Sequence, residues 1–98
     1  MKLMVQWECH PEKRHDVFSG WAEMDLADYQ AMAGPNVKTI GRWHDVINAR
    51  GVVILETDDA AALSMSLLKW NSVVDFDVAV VHEDEEAHAI VRKHLAGS

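Results

Sequence analysis

Cysteine, basic charge and long apolar runs are all scarce in this chain of 98 residues, and each scarcity closes off a class of protein. A lone cysteine, Cys9, cannot form an internal disulfide or a cysteine-only metal cage, and it fits a reducing compartment. No stretch approaches the roughly 20 apolar residues that cross a bilayer. The opening Met1-Lys2 leads into a short alternating segment broken by Gln6 and Glu8, unlike the apolar core of a secretory signal. A soluble, cytoplasmic protein without a membrane partner is therefore expected. Lys and Arg number 9 against 16 Asp and Glu, a formal charge of −7. Phosphate backbones repel such a chain, and Lys13-Arg14 and Arg92-Lys93 are isolated pairs, so no nucleic-acid partner is expected. There is no glycine-rich phosphate loop, no histidine pair at zinc spacing and no Gly-x-Ser-x-Gly elbow. Neither a cofactor nor a metal is expected.

What the chain does hold is apolar mass: 49% hydrophobic residues, with four Trp and five Met. A domain this small buries only roughly 60–65% of its unfolded surface, so that much apolar material points to self-association. The pattern is equally informative. Lys2–Cys9 alternates strictly, with Leu3, Val5, Trp7 and Cys9 on one face and Lys2, Met4, Gln6 and Glu8 on the other. His10-Pro11 ends that strand and starts a helix carrying Val17, Phe18, Trp21 and Met24 at helical spacing, with His10 expected to cap it. A second helical piece is expected over Leu26–Ala33, stopped by Gly34-Pro35-Asn36. Two strands follow, Lys38–Asp45 and Gly51–Glu56, joined by a short hairpin. Thr57-Asp58-Asp59 caps a helix over about Asp59–Trp70 whose buried stripe is Leu63, Leu67 and Trp70. A last strand covers Val73–Val81, and Glu83–Leu95 reads as an amphipathic helix with Ala87, Ile90, Val91 and Leu95 inward. The whole is a single domain, residues 1–98, of α+β class: a ferredoxin-like βαββαβ fold with a four-stranded antiparallel sheet and a C-terminal helix.

Met4-Val5-Gln6-Trp7, His10-Pro11-Glu12-Lys13-Arg14 and Gly41-Arg42-Trp43-His44-Asp45 resemble a small bacterial family known as domain of unknown function 3303. Arg50-Gly51, Glu56-Thr57-Asp58-Asp59 and Trp70-Asn71 extend the likeness over nearly the whole chain. The resemblance implies a ferredoxin-like fold of the dimeric α/β-barrel superfamily, in which two sheets close face to face. It implies no activity. The wider superfamily holds cofactor-free monooxygenases, isomerases, haem-dependent enzymes and plain ligand binders, which is fold-level analogy only.

Two groups of residues are candidate sites. The first is the sheet face away from the helices, which carries Gln6, Glu8, Asp75 and Asp77, with Ile54 and Glu56 from the third strand. With strand one read as parallel to strand three and antiparallel to strand four, Glu8, Glu56 and Asp75 gather near one end. Clustered carboxylates can raise one another's pKa and supply a general acid or base. Solvated rims or inter-subunit salt bridges explain them as well. The second group is Arg42-Trp43-His44-Asp45. His44 is the best acid or base candidate, because imidazole alone titrates unperturbed near neutrality. Period two puts Arg42 and His44 on one face and Trp43 on the other; the simplest reading places Trp43 under the helices and Arg42 and His44 on the barrel side, while a one-residue slip reverses this. Trp43 as packing and Arg42-His44 as dimer contacts is the plainer alternative. His82, His88 and His94 recur every six residues, which scatters them around a helix and argues against a metal site. Cys9 is expected to be a small buried hydrophobe.

The favoured expectation is a homodimeric protein that binds or responds to a small molecule through Arg42, His44, Gln6, Glu56 and Asp75. The alternatives are a cofactor-free, monooxygenase- or isomerase-like enzyme on a small aromatic or carbonyl substrate, with His44 as base and Arg42 holding negative charge, and a purely structural dimer.

Overall fold

The computed structural model describes residues 1–31 and 33–97. Strand β1 (Lys2–Cys9) leads through a 3₁₀ turn (Pro11–Lys13) into α1 (Arg14–Glu23) and α2 (Leu26–Ala31). Of the helical piece expected over Leu26–Ala33, Met32 lies outside the described residues. The hairpin β2 (Lys38–Asp45) and β3 (Arg50–Glu56) follows, then α3 (Ala60–Leu68), β4 (Val74–Val80) and α4 (Asp84–Leu95). Asp59 caps α3 by accepting a hydrogen bond from the Ala62 amide at 2.9 Å. His10 stands before the 3₁₀ turn but makes no side-chain cap; its Nε2 lies 2.9 Å from Asp75 Oδ1 on β4 instead.

The strand order is β2-β3-β1-β4, with every neighbouring pair antiparallel. This is the expected α+β, ferredoxin-like sheet, and it corrects the reading of strand one as parallel to strand three. The cause is connectivity. The α1–α2 crossover returns β2 parallel to β1, and the hairpin-linked β3 inserts between them, so β3 opposes both. Glu56 therefore pairs with Lys2, at the opposite end of the sheet from the Glu8–Asp75 pair. The expected carboxylate trio is not assembled.

One face of the sheet packs under helices. Leu3, Val5, Val53 and Leu55 meet Val37 and Leu63 there, while Cys9, Ala49 and Val74 form a second buried group. Trp7 and Phe76 touch both. Buried Thr57 ties the end of β3 to the preceding loop, donating to the Asn36 carbonyl at 2.7 Å and accepting from the Asp59 amide at 3.0 Å.

Strand β2 carries an irregularity between Thr39 and Gly41, so Ile40 has no partner on β3. Beyond it Arg42 opposes Val53 and His44 opposes Gly51, on the helix side; Gly41 and Trp43 oppose Ile54 and Val52, on the open side. This overturns the placement of Trp43 under the helices and of Arg42 and His44 on the barrel side. Trp43 is 60% exposed.

The C-terminal helix also departs from expectation. No residue of α4 is buried, and Ile90, Val91 and Leu95 are exposed rather than inward. Lys2 binds Glu83 and His82 binds Glu86, anchoring the start of the helix to β1 and to its own first turn. At the far end of β4, Val78 and Val80 are exposed as well, so the helices cover that strand only around Val74 and Phe76.

Candidate functional site

The hairpin end of the helix-covered face holds a partly open cavity of about 170 Å³ between β1, β2, β3, β4 and the α1 and α3 regions. Its walls are aromatic: Trp7 from β1, Phe18 and Trp21 from α1, Trp70 after α3 and Phe76 from β4. Each arrives there for a local reason. Trp7 shares the alternating face of Leu3 and Val5, and its ring lies over Gly51, where a Cβ would stand only 2.2 Å from it. Trp21 sits one helical turn beyond Val17 on the apolar stripe of α1. Trp70 sits in the turn after α3, its amide bonded to the Leu67 carbonyl at 3.0 Å. That residue is half-buried, less enclosed than a core position at the end of a helix.

His44 stands between two of these rings. Its imidazole meets Trp7 edge-on with centroids 5.4 Å apart, and Trp21 at 5.0 Å with the planes tilted by 41°. Burial pushes its pKa below the ordinary imidazole value, and the Arg42 charge pushes it the same way. At neutral pH His44 is thus a neutral imidazole. Arg42 lines the same cavity two residues away on one strand face, roughly 7 Å along the strand.

The β2–β3 turn also lines the cavity, through Val46 and Ala49, and Asp45 organises it. Its carboxylate accepts from Asn48 Nδ2 at 2.9 Å, from the Asn48 amide at 3.2 Å and from Arg50 Nε at 2.9 Å. The Asn48 side-chain bond first, then the Arg50 bond and the Asn48 amide bond, hold the Asp45 carboxyl below the usual carboxylate range. Ala49 adopts a left-handed backbone, φ 53°, and its carbonyl accepts from the Cys9 amide at 2.9 Å, stitching the turn to β1. Cys9 is buried as expected, and burial pushes its thiol pKa up.

The other face of the sheet holds a shallower depression bordered by Gln6, Trp43, Asp75 and Asp77. Gln6 opposes Asp77, and Glu8 opposes Asp75. The residues singled out from the sequence thus divide three ways. Arg42 and His44 share the helix-side cavity, Gln6 and Asp75 lie on the open face, and Glu56 stands at the remote end. Among the described residues, no group of three His, Cys, Asp or Glu side chains is placed to hold a metal ion. Among the described residues, no helix is long and apolar enough to cross a membrane.

Trp7, Phe18, Trp21 and Trp70 read from the sequence as plain core material. The signal that marks them as cavity walls is the cross-strand pairing of Trp7 with a glycine, which becomes readable only with the register in hand.

A small α+β domain with an aromatic cavity between sheet and helices is the class that fold and site define. Residues 1–95 match the family model described as Domain of unknown function (DUF3303), and the chain belongs to that family. No curated protein matches it.

Proposed function

We propose that this protein binds a small, largely apolar molecule in the cavity between its sheet and its helices, acting as a cytoplasmic homodimer of the dimeric α/β-barrel type. The observation that carries the reading is a cavity of about 170 Å³ walled largely by aromatic rings, with Arg42 and His44 among its few polar lining residues. Binding sites combine apolar walls with a few placed polar groups in this way. An apolar protein cavity of about 150 Å³ accepts benzene, so the site suits a single six-membered ring with a small substituent. Three of the four tryptophans, Trp7, Trp21 and Trp70, line it. A panel of single-ring compounds should therefore change the intrinsic fluorescence and add mass in native mass spectra. A panel that does neither refutes the reading and favours a purely structural dimer.

The homodimer is supported by the sheet face that no helix covers, where Met4, Val52 and Ile54 are half-buried and Trp43 is mostly exposed. Two such faces packed together would remove this apolar surface from water. Sedimentation equilibrium at micromolar concentration should give twice the 11.0 kDa chain mass. A single 11.0 kDa species rejects the dimer.

One observation favours a second reading, a cofactor-free enzyme. A neutral His44 beside Arg42 can accept a proton from a bound substrate while the guanidinium holds the negative charge that develops. Among the described residues, however, no carboxylate orients His44, so ligand binding is the first reading and catalysis the second. Turnover of a bound carbonyl compound that is lost in His44→Gln separates the two.

A further inference from the structure

We propose that α4 is a self-association arm: it pairs antiparallel with the α4 of a second copy of this chain, apolar stripe against apolar stripe, and the partner's helix tip comes to rest by the exposed valines of β4. The inference goes beyond the cavity reading and does not depend on it. The stripe is Ala87, Ile90, Val91 and Leu95, which share one side of a helix by their spacing of three and four. That side is left uncovered in the single chain: Ile90 and Val91 are exposed, and Leu95 is 77% exposed. Roughly 18 Å long, α4 leaves the sheet three residues after β4. The molecule measures 52 Å in its longest direction, about twice the roughly 26 Å of its eight-residue strands.

The occupant follows from charge. The first turn of α4 carries Asp84, Glu85 and Glu86, and the last carries Arg92, Lys93 and His94. Each helix's own dipole favours this segregation. It also makes α4 complementary to itself in one direction only. An antiparallel pair sets an acidic first turn against a basic last turn at both ends, whereas a parallel pair sets like against like. A two-fold axis near Ile90 and Val91 brings Ala87 beside the partner's His94 in the seam, and Glu86 beside the partner's Lys93 on its flank. Glu86 already meets His82 at 2.7 Å and Lys93 has an interaction in its own chain, so these cross-pairs add to existing contacts and contribute little by themselves. The apolar stripe supplies the attraction and the charges supply the direction. An anionic lipid surface fits less well, because it calls for Lys and Arg along the polar face and α4 begins with three carboxylates.

The antiparallel direction also accounts for a second uncovered patch. On β4, Val78 and Val80 oppose Val5 and Leu3, which are buried, yet both valines are exposed. They stand near the base of α4, where an antiparallel partner places the tip of its own helix, and the partner's Leu95 is the apolar side chain there. Four stripe residues and two valines on each side stay below the roughly 1,200 Å² at which standard interfaces begin, so the pairing is weak and depends on concentration.

Sedimentation equilibrium from micromolar to millimolar concentration and oxidative cross-linking test the pairing on the full chain. The parent should gain mass with concentration. Val91→Asp should raise the dissociation constant of that step at least tenfold, and Ala89→Asp, on the opposite side of the helix, should leave it within twofold. Both positions are exposed, and circular dichroism establishes that the variants fold. A dimer through the open sheet faces would form in the parent and in Val91→Asp alike, so the difference between them belongs to α4. Cys9 is buried, so introduced thiols report alone. Under mild oxidation, Ala87→Cys mixed with His94→Cys should give a mixed disulfide. Ala87→Cys alone should not, since its two copies lie about 10 Å apart along the pair, beyond the roughly 4.4–6.8 Å between Cα atoms that a disulfide spans. Cross-linking by Ala87→Cys alone overturns the antiparallel direction. Equal masses for the parent and Val91→Asp at every concentration, or no mixed disulfide, overturn the pairing. Cosedimentation of the parent with anionic phospholipid vesicles that is lost in Val91→Asp overturns it in favour of a lipid surface.

Discussion

Gly51→Ala probes the wall of the cavity with a single methyl group. Gly51 on β3 opposes Trp7 on β1 and His44 on β2, near the turn of the hairpin. A Cβ at this position would stand 2.2 and 2.5 Å from two carbons of the Trp7 ring and 2.6 Å from the Trp43 carbonyl oxygen. Carbon atoms in contact normally sit about 3.5–4.0 Å apart. Neither neighbour can yield cheaply, because the Trp7 ring is braced edge-on by His44 and the carbonyl belongs to the β2 backbone. Forced overpacking costs about 1–3 kcal/mol. Displacing Trp7 from His44 adds roughly 0.5–1.5 kcal/mol. Alanine regains about 0.5–1 kcal/mol over glycine within a strand. The expected net loss is about 1–3 kcal/mol, against a total stability on the order of 5–15 kcal/mol, so the variant still folds. Urea melts should show a lower midpoint with an unchanged slope, and the near-ultraviolet tryptophan signal should change. In a Trp7→Leu background the same substitution should cost less, since only the carbonyl clash remains; that coupling is measurable in a double-mutant cycle. A Gly51→Ala protein as stable as the parent would refute the close approach of Trp7.

Gly20, within α1, has nothing within 4 Å of a built Cβ, so Gly20→Ala should stabilise the protein by about 0.5–1 kcal/mol in urea melts. Trp70→Ala should cost about 2 kcal/mol, less than the roughly 3–5 kcal/mol of a fully enclosed tryptophan, because the ring is half-buried beside the cavity. Asp45→Ala should loosen the β2–β3 turn, seen as faster amide exchange at Asn48 and Arg50. Because its folded pKa is depressed, the Asp45 contribution is present above 3.8 and lost as pH falls below it. His44 has a lowered folded pKa, so its contribution is present above 6.5 and declines as pH falls from 6.5 to the folded value. The midpoint difference between pH 7.5 and 5.5 should accordingly be smaller in His44→Leu than in the parent, and equal differences would place His44 in water.

The chain on its own determined which residues share a face and where elements start. Strict alternation over Lys2–Cys9 separated Leu3, Val5 and Cys9 from Gln6 and Glu8, and burial follows that division. Thr57-Asp58-Asp59 announced α3, because a carboxylate beside orphan amides has one favourable use. The faces of β2 were another matter. Period two says that Arg42 and His44 go together and Trp43 goes opposite, but not which group lies beneath the helices. The unpaired Ile40 decides that through the pairing with β3, a long-range event no local pattern records. The same holds for the remote position of Glu56, set by the antiparallel β1–β3 ladder, and for the exposed apolar stripe of α4. An amphipathic helix announces that it has an apolar side, and only the packed chain decides what, if anything, that side touches. The cavity belongs wholly to the tertiary structure. It exists because Trp7 takes the space above a residue with no side chain, while Trp21 from α1 and Trp70 from the turn after α3 close in on it.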